Sequence, residues 1–451
     1  MAKNIHSRRT FLRTIAKVGT AAAAAPLIVP RHVIGGSGYR APSDTVNIAA
    51  VGIGGMGKAN LEHITGHNVV ALVDVDSDYA APVFSAYPDA ARYRDYRRML
   101  DEMSNDVDGV IIATPDHTHA LITLAAMERG LHVYTQKPLT WSIWEARQLQ
   151  KAAERYDVVT QMGNQGKSSD GIRLVKEHLL AGTIGEVRDV HIWTNRPVWP
   201  QGIPLPEVLK RKPDTLDWDL FLGPAPDVAY DPAFHPFAWR GWVEFGTGAQ
   251  GDILPHAMAH PFWGLDLGAP VTIETRSTRF NGDSYPHASM TYYDFPARDA
   301  GPAVRITWYD GDLKPPTPEG LPDDVLRRAS MIYIGSKGFI LQNDQGGNVR
   351  FFPEELANDL PEVPQQFPRV ADQSHEMNWV RAIQGLEDAT SPFSFAAPLT
   401  EAFLLGIVSM RAGNQRIHWD TENMEVTNSE DANQFVRRRN TRTGWELPTI
   451  V

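Results

Sequence analysis

Gly52, Gly54 and Gly57 fall in the spacing G-x-G-x-x-G, within the run V-G-I-G-G-M-G. An apolar run of strand length, Val46 to Val51, leads into them, and Lys58 to Ile64 reads as a helix after them. Each glycine has a physical task. Gly52 permits a tight turn, Gly54 lets backbone approach a diphosphate, and Gly57 lets helix pack closely on strand. With Gly55 and Met56 they bring backbone N–H groups to a helix start, where an anion is favoured. A second apolar run, Val69 to Val73, ends in Asp74, roughly 20 residues further on. An acid there can accept hydrogen bonds from ribose hydroxyls and repels a 2′-phosphate. The set points to a bound dinucleotide, NAD rather than NADP.

The elements that must position this turn continue in alternation. Asp108 to Ala113 reads as a buried strand, and Thr114-Pro115-Asp116-His117-Thr118-His119 as a turn opening a helix to Arg129. Leu131 to Tyr134 is a strand followed by Gln136-Lys137-Pro138. Trp144 to Tyr156 is a helix, and Val158 to Met162 a strand followed by Asn164 and Gln165. Repeated strand–helix units predict an α/β fold with a doubly wound parallel sheet. Ligands then bind at the carboxyl ends of the strands. There lie the glycine turn, Asp74, Thr114 with Pro115 and His119, Gln136 with Lys137, and Asn164 with Gln165. Thr114, Pro115, His119, Gln136 and Asn164 are assigned to the cofactor, and Gln165 to the substrate.

The chain has 451 residues, no cysteine and a formal net charge of −11. That length favours two or three domains. Without cysteine there is no disulfide, thiolate nucleophile or iron–sulfur cluster. The negative charge argues against a broad nucleic-acid surface, which needs clustered Lys and Arg. No uninterrupted apolar run is long enough to predict a membrane span.

Residues 1–40 read as a targeting segment and linker. Lys3, Arg8, Arg9, Arg13 and Lys17 are basic, and the first acid is Asp44. The paired arginines in Ser7-Arg8-Arg9-Thr10-Phe11-Leu12, before the Ala-rich stretch Ile15 to Val29, resemble a twin-arginine export signal. The expected location is periplasmic or secreted, with the twin-arginine machinery as a partner.

The pieces A-V-G-I-G-G-M-G, A-T-P-D-H-T-H-A, Y-T-Q-K-P-L and G-D-I-L-P-H together resemble the glucose–fructose oxidoreductase/inositol dehydrogenase/rhizopine-catabolism (Gfo/Idh/MocA) family of sugar oxidoreductases. The resemblance implies a Rossmann domain over 44–165. It also implies a C-terminal α/β domain over 166–451 with a large, mostly antiparallel open sheet, and a homo-oligomer. Within 166–451, the Pro- and Gly-rich stretch Ala300 to Pro322 reads as a loop or edge insertion holding one short strand, Val304 to Tyr309.

The resemblance carries catalytic roles onto Lys137, Asp252 and His256. An imidazole can take the proton of a carbinol hydroxyl, and an ammonium can hold the developing oxyanion. Asp252 and His256 are four apart and would share a helix face. Asp252, His256 and His260 also form a stripe that could face a metal; the acid–base reading is preferred and no metal is assigned. The chain departs from the family pattern in having Gln136 where a Glu is usual, and Ala259 and His260 where Asp and Pro are usual. Asn195, Arg196, His235, Trp239, Arg240 and His260 are placed at the substrate, where tryptophan faces suit sugar rings.

The expected function is NAD-dependent oxidation of a sugar or glycoside hydroxyl. An exported enzyme has no free NAD pool, so its cofactor would be loaded before export and held tightly. Two alternatives stand beside this reading. One is an NAD-dependent glycosidase acting by transient oxidation, elimination, water addition and re-reduction. The other is a non-catalytic sugar-binding relative.

Overall fold

The computed structural model describes residues 44–207, 210–322, 324–438 and 440–450. The chain divides into Met1–Thr45 and Val46–Val451, and the two sheets below belong to the second part. The twin-arginine segment lies outside the described residues.

The first sheet has six strands: β1 (Asn47–Val51), β2 (Asn68–Val73), β3 (Ala91–Tyr93), β4 (Gly109–Ile112), β5 (His132–Gln136) and β6 (Thr160–Gly163). Their order is β3-β2-β1-β4-β5-β6, and every pair is parallel. β4 is buried along its length and β1 at all but its first residue. Helices cover both faces of such a sheet, so Ile, Val and Ala run continuously instead of alternating. The strand order reverses between β1 and β4, which opens a crevice at their carboxyl ends.

The turn after β1 closes because of two glycines. Gly52 has φ +79°, and a side chain there would put its Cβ 2.7 Å from the Thr114 amide nitrogen. At Gly57 a Cβ would stand 2.1 Å from the Gly52 carbonyl oxygen. The helix after the turn is Met56–Glu62, starting two residues earlier than its apolar pattern suggests.

The second sheet has nine strands: β7 (Val187–Trp193), β8 (Thr272–Ser277), β9 (Ser289–Phe295), β10 (Val304–Tyr309), β11 (Met331–Gly335), β12 (Phe339–Gln342), β13 (Arg350–Phe352), β14 (Ile417–Asp420) and β15 (Glu425–Val426). The order is β13-β12-β11-β7-β10-β9-β8-β14-β15. Only β7 and β10 pair in parallel; the other pairs are antiparallel. β9 alternates buried and half-buried residues, as a sheet with one covered face requires. The expectation of an edge insertion around Ala300–Pro322 is corrected here. β10 lies inside the sheet between β7 and β9, and Val304, Ile306 and Trp308 are fully in the core. Local Pro and Gly content marks the flanking loops and carries no information on strand order.

The helix Phe393–Arg411 joins the two halves. By length and composition it could cross a membrane, yet 83% of its apolar window is buried inside this fold. It packs on β8 of the second sheet and on the helix Ile143–Tyr156 of the first. Across that second contact Arg147 makes a two-pronged bond to Glu401, at 2.5 Å from Nε and 2.8 Å from Nη2. Trp419 Nε1 also donates to Glu401, at 2.9 Å. Glu401 is almost fully buried, so removing its cation strands a carboxylate in the interior. Arg147→Met is expected to lower unfolding stability by about 3 kcal/mol. Urea denaturation would measure this, and a change below about 1 kcal/mol would mean that the pair is surface-like.

Candidate active site

A cleft of about 870 Å³ runs along the carboxyl ends of the first sheet and under the second half of the chain. That volume lies within the range of small-molecule and cofactor sites. Gly52, Gly54, Gly55 and Met56 form its floor at one end. The cradle fits a diphosphate only because side chains are missing: a Cβ at Gly52 or Gly57 would strike backbone. Asp74 serves the turn directly. Its Oδ2 accepts the Ile53 and Gly54 N–H groups at 2.8 and 3.2 Å, and its Oδ1 accepts Asp76 N–H at 3.0 Å. Burial raises its pKa to about 6 despite these bonds. Asp74 therefore shapes the glycine loop as well as standing where a ribose would lie. The ring of Tyr79 lies against Gly54, where a Cβ would be 2.1 Å from it.

The wall above this end comes from the second half of the chain. Asp217 N–H donates to Val75 O at 2.9 Å and Ser77 N–H to Thr215 O at 3.2 Å, lashing the segment to the end of β2. His235 Nε2 lies 3.3 Å from Asp76 Oδ2, and its ring meets that of Tyr79 edge-on. Phe221, His235 and Phe237 line the cleft, as does Trp445 from the C-terminal segment. Arg97 lies over the Trp445 ring at 4.5 Å, and Arg442 bonds Asp219 and the carbonyls of Asp219 and Gly223.

At the other end two separate elements meet. Lys137 follows β5, and Asp252 and His256 lie on the helix Gly248–Ala257. Lys137 Nζ donates to Asp252 Oδ1 at 2.7 Å and to the Asp252 carbonyl at 2.8 Å. Burial would raise the Asp252 pKa, but the charges of Lys137 and Arg240 overcome it and hold it at about 2. His256 faces the same cleft. Burial, with Lys137 adding to it, lowers its pKa to about 3, so its imidazole is neutral. Its Nδ1 is buried without a hydrogen-bond partner, so no protein group fixes the tautomer.

Gln136 lines the cleft and donates to Asn60 Oδ1 at 3.0 Å. Gln165 also lines it and reaches Glu376 Oε1 at 3.4 Å. Thr114, Pro115, His235, Trp239 and Arg240 are on the wall as well. Other sequence candidates lie elsewhere. His119 is buried behind the wall, between the Pro138 and Thr114 carbonyls at 2.7 and 2.8 Å, with a pKa lowered to about 4 chiefly by burial. It ties together two cleft loops instead of facing a ligand. Asn164 is fully buried, with its amide nitrogen 3.5 Å from Pro255 O. His260 is buried against Gln342 at 3.1 Å, one turn beyond His256 and outside the cleft lining. Asn195 and Arg196 bond to each other after β7 and are also outside it. Among the described residues no three His, Asp or Glu side chains gather as a metal site.

Asp116, Glu376 and Tyr79 are among the wall residues that sequence alone does not point to. Asp116 accepts the Thr247 hydroxyl at 2.6 Å, and burial raises its pKa to about 7. Its signal was present in T-P-D-H-T-H, between residues that drew attention first. Glu376 accepts Asn60, Tyr134 and Gln165 at a single oxygen. It reaches the cleft from a helix, His375–Ile383, that no local motif marks. Tyr79 lay in an unremarkable loop after Asp74.

Comparison with known proteins agrees with this architecture. Residues 46–164 match the sequence model of the Gfo/Idh/MocA oxidoreductase family, NAD-binding Rossmann fold. An inositol 2-dehydrogenase/D-chiro-inositol 3-dehydrogenase of Lacticaseibacillus casei is 31% identical over 159 residues, covering 33% of this chain and 45% of that protein. The rhizopine catabolism protein MocA of Rhizobium meliloti is 28% identical over 141 residues, covering 31% and 44%. The chain thus matches about half the length of these relatives. Two crystal structures share the fold over 83% of this chain. One is the WlbA dehydrogenase from Bordetella pertussis in complex with NADH and UDP-GlcNAcA, with TM-score 0.58, 15% identity and 99% of that chain covered. The other is an aldose-aldose oxidoreductase from Caulobacter crescentus, with TM-score 0.56, 14% identity and 100% covered. Residues 46–164 thus match the NAD-binding Rossmann domain of the Gfo/Idh/MocA oxidoreductase family in sequence, and the two-sheet fold is shared with these solved structures.

Proposed function

We propose that this protein is an NAD-dependent oxidoreductase that acts on a hydroxyl of a sugar, polyol or glycoside and keeps its cofactor tightly bound. The observation that carries the reading is the meeting of Lys137 with Asp252, beside His256, in the cleft that begins at the glycine turn. The glycine turn, Asp74 and the loop Thr114–Pro115 would hold the dinucleotide, and Gln136 would border its reactive end. When bound, the nicotinamide accepts the two electrons of the substrate C–H bond.

The residues of the chain supply the rest. The Lys137 ammonium is fixed by Asp252 and can donate a hydrogen bond to the substrate oxygen, stabilising negative charge as it develops. His256 is neutral and can accept the hydroxyl proton. Asp252 keeps Lys137 in place and screens it from His256, which favours proton uptake by the imidazole. Trp239 offers an aromatic face beside these groups. Tight retention is supported by the wall over the nucleotide end. Phe221, His235, Phe237 and Trp445 from this wall would lie against a dinucleotide bound there. This also suits an exported protein, which must be loaded before it leaves the cytoplasm.

His256→Ala is expected to reduce turnover by about 10² or more while leaving NADH binding intact. Steady-state rates and NADH fluorescence would separate the two effects, and unchanged turnover removes His256 from the chemistry. Because its folded pKa is depressed below the unfolded 6.5, the stability due to neutral His256 is present above pH 6.5. It is lost as pH falls toward about 3. The His256 imidazole resonance, assigned by its loss in the alanine variant, should therefore show no titration from pH 8 to pH 5. A midpoint near 6.5 would contradict the buried neutral base. Finally, heat-denatured purified protein should release NAD or NADH detectable by mass. Full activity that depends wholly on added NAD, with none released, would refute tight retention.

A further inference from the structure

The reacting end of the cleft has more cations than its carboxylates balance. Lys137 Nζ and Arg240 Nε both donate to the same oxygen, Asp252 Oδ1, at 2.7 and 3.3 Å. The lysine bond is short and direct, and the arginine bond is at the long limit for N–H···O. One negative charge thus faces two positive ones. The nearby acid Asp116 redresses this only in part, since burial raises its pKa to about 7. Arg240 is nonetheless held rigidly. Its Nη1 donates to Phe237 O at 3.1 Å, and its guanidinium lies 4.2 Å from the Trp239 ring centre and 4.8 Å from that of Phe237. Its side chain is 21% exposed, and it lines the cleft with Lys137. A partly desolvated guanidinium with an incomplete partner gains strongly from an anion. Its planar fork fits the paired oxygens of a carboxylate or phosphate. Stacking on two rings fixes the fork in advance, which lowers the entropy lost on binding.

We propose that Arg240 is the receptor for an oxyanion brought into the cleft beside Lys137, either the carboxylate of an acidic sugar or the diphosphate of the dinucleotide. The bond to Asp252 that it shares with Lys137 places Arg240 beside the proposed reacting groups, and this weighs toward a uronic or aldonic acid. The inference rests on the proposed sugar oxidoreductase and narrows its substrate class.

The test uses the full-length protein, Arg240→Gln and Arg240→Lys. NADH is titrated by fluorescence. Glucuronate with glucose, and galacturonate with galactose, are then titrated by calorimetry into each protein, with and without NADH. A substrate receptor predicts that the wild type binds at least one acid roughly tenfold tighter than its neutral partner. Arg240→Gln erases that preference, Arg240→Lys keeps part of it, and NADH affinity is unchanged. A diphosphate receptor predicts a roughly tenfold loss of NADH affinity in Arg240→Gln and no acid preference in any variant. Equal NADH affinity and an equal acid-to-neutral ratio in all three proteins overturn the proposal. Failure of the wild type to bind NADH, with no NAD or NADH released on denaturation, refutes the oxidoreductase reading instead, while the ratio measured without added NADH still reports on Arg240.

Discussion

The contact between the Lys137 ammonium and the Asp252 carboxylate is the constraint on which the rest of the molecule depends. Its two partners arrive from different sheets, one from the end of a parallel strand and the other from a helix beneath an antiparallel sheet. A pair this poorly hydrated repays its desolvation only if its geometry is fixed. The fold fixes it from both sides. The first sheet sets the strand end from which Lys137 projects. The helix Phe393–Arg411, packed on both halves, prevents one from sliding past the other. Arg147 and Glu401 form a second cross-link on that helix, so the Lys137–Asp252 contact is not asked to hold the halves together alone.

Around this contact the site sorts its charges by surroundings. Asp252, between two cations, stays an anion, whereas burial raises the pKa of Asp116, with a hydroxyl partner, to about 7. His256, in a dry pocket beside an ammonium, is an uncharged acceptor. Similar side chains a short distance apart thus have different states because their neighbours differ, which is how one cleft can hold a donor and an acceptor of protons at the same pH.

The parts of this arrangement that could be read from sequence were those governed by local periodicity and backbone chemistry. The glycine spacing, the apolar runs and the acid ending β2 come from short-range rules, and the six-stranded sheet follows from them. Lys137, Asp252 and His256 were expected from resemblance to family motifs, and all three line the one cleft. What could not be read depends on distance along the chain. His119 and His260 have the residue types of ligand groups, but tertiary packing turned their rings into the protein, toward carbonyls and an amide. Asn195 and Arg196 follow a strand end, but that strand belongs to the second sheet, whose loops open elsewhere. Glu376 and Trp445 reach the cleft from segments that carry no motif, and no window of sequence relates them to Gln165 or Arg97.

Trp445 has a consequence for how the protein is made. The floor of the cleft is encoded by residues 52–56 and the ring that helps wall it by residue 445, so during synthesis the floor exists long before that part of the wall does. A growing chain on the ribosome can therefore complete its parallel sheet and present an open crevice to solvent. That part of the wall must wait until the helix Phe393–Arg411 has docked and Arg442 has met Asp219. Biosynthesis itself thus provides an interval in which a large ligand can enter before the segment carrying Arg442 and Trp445 is in place.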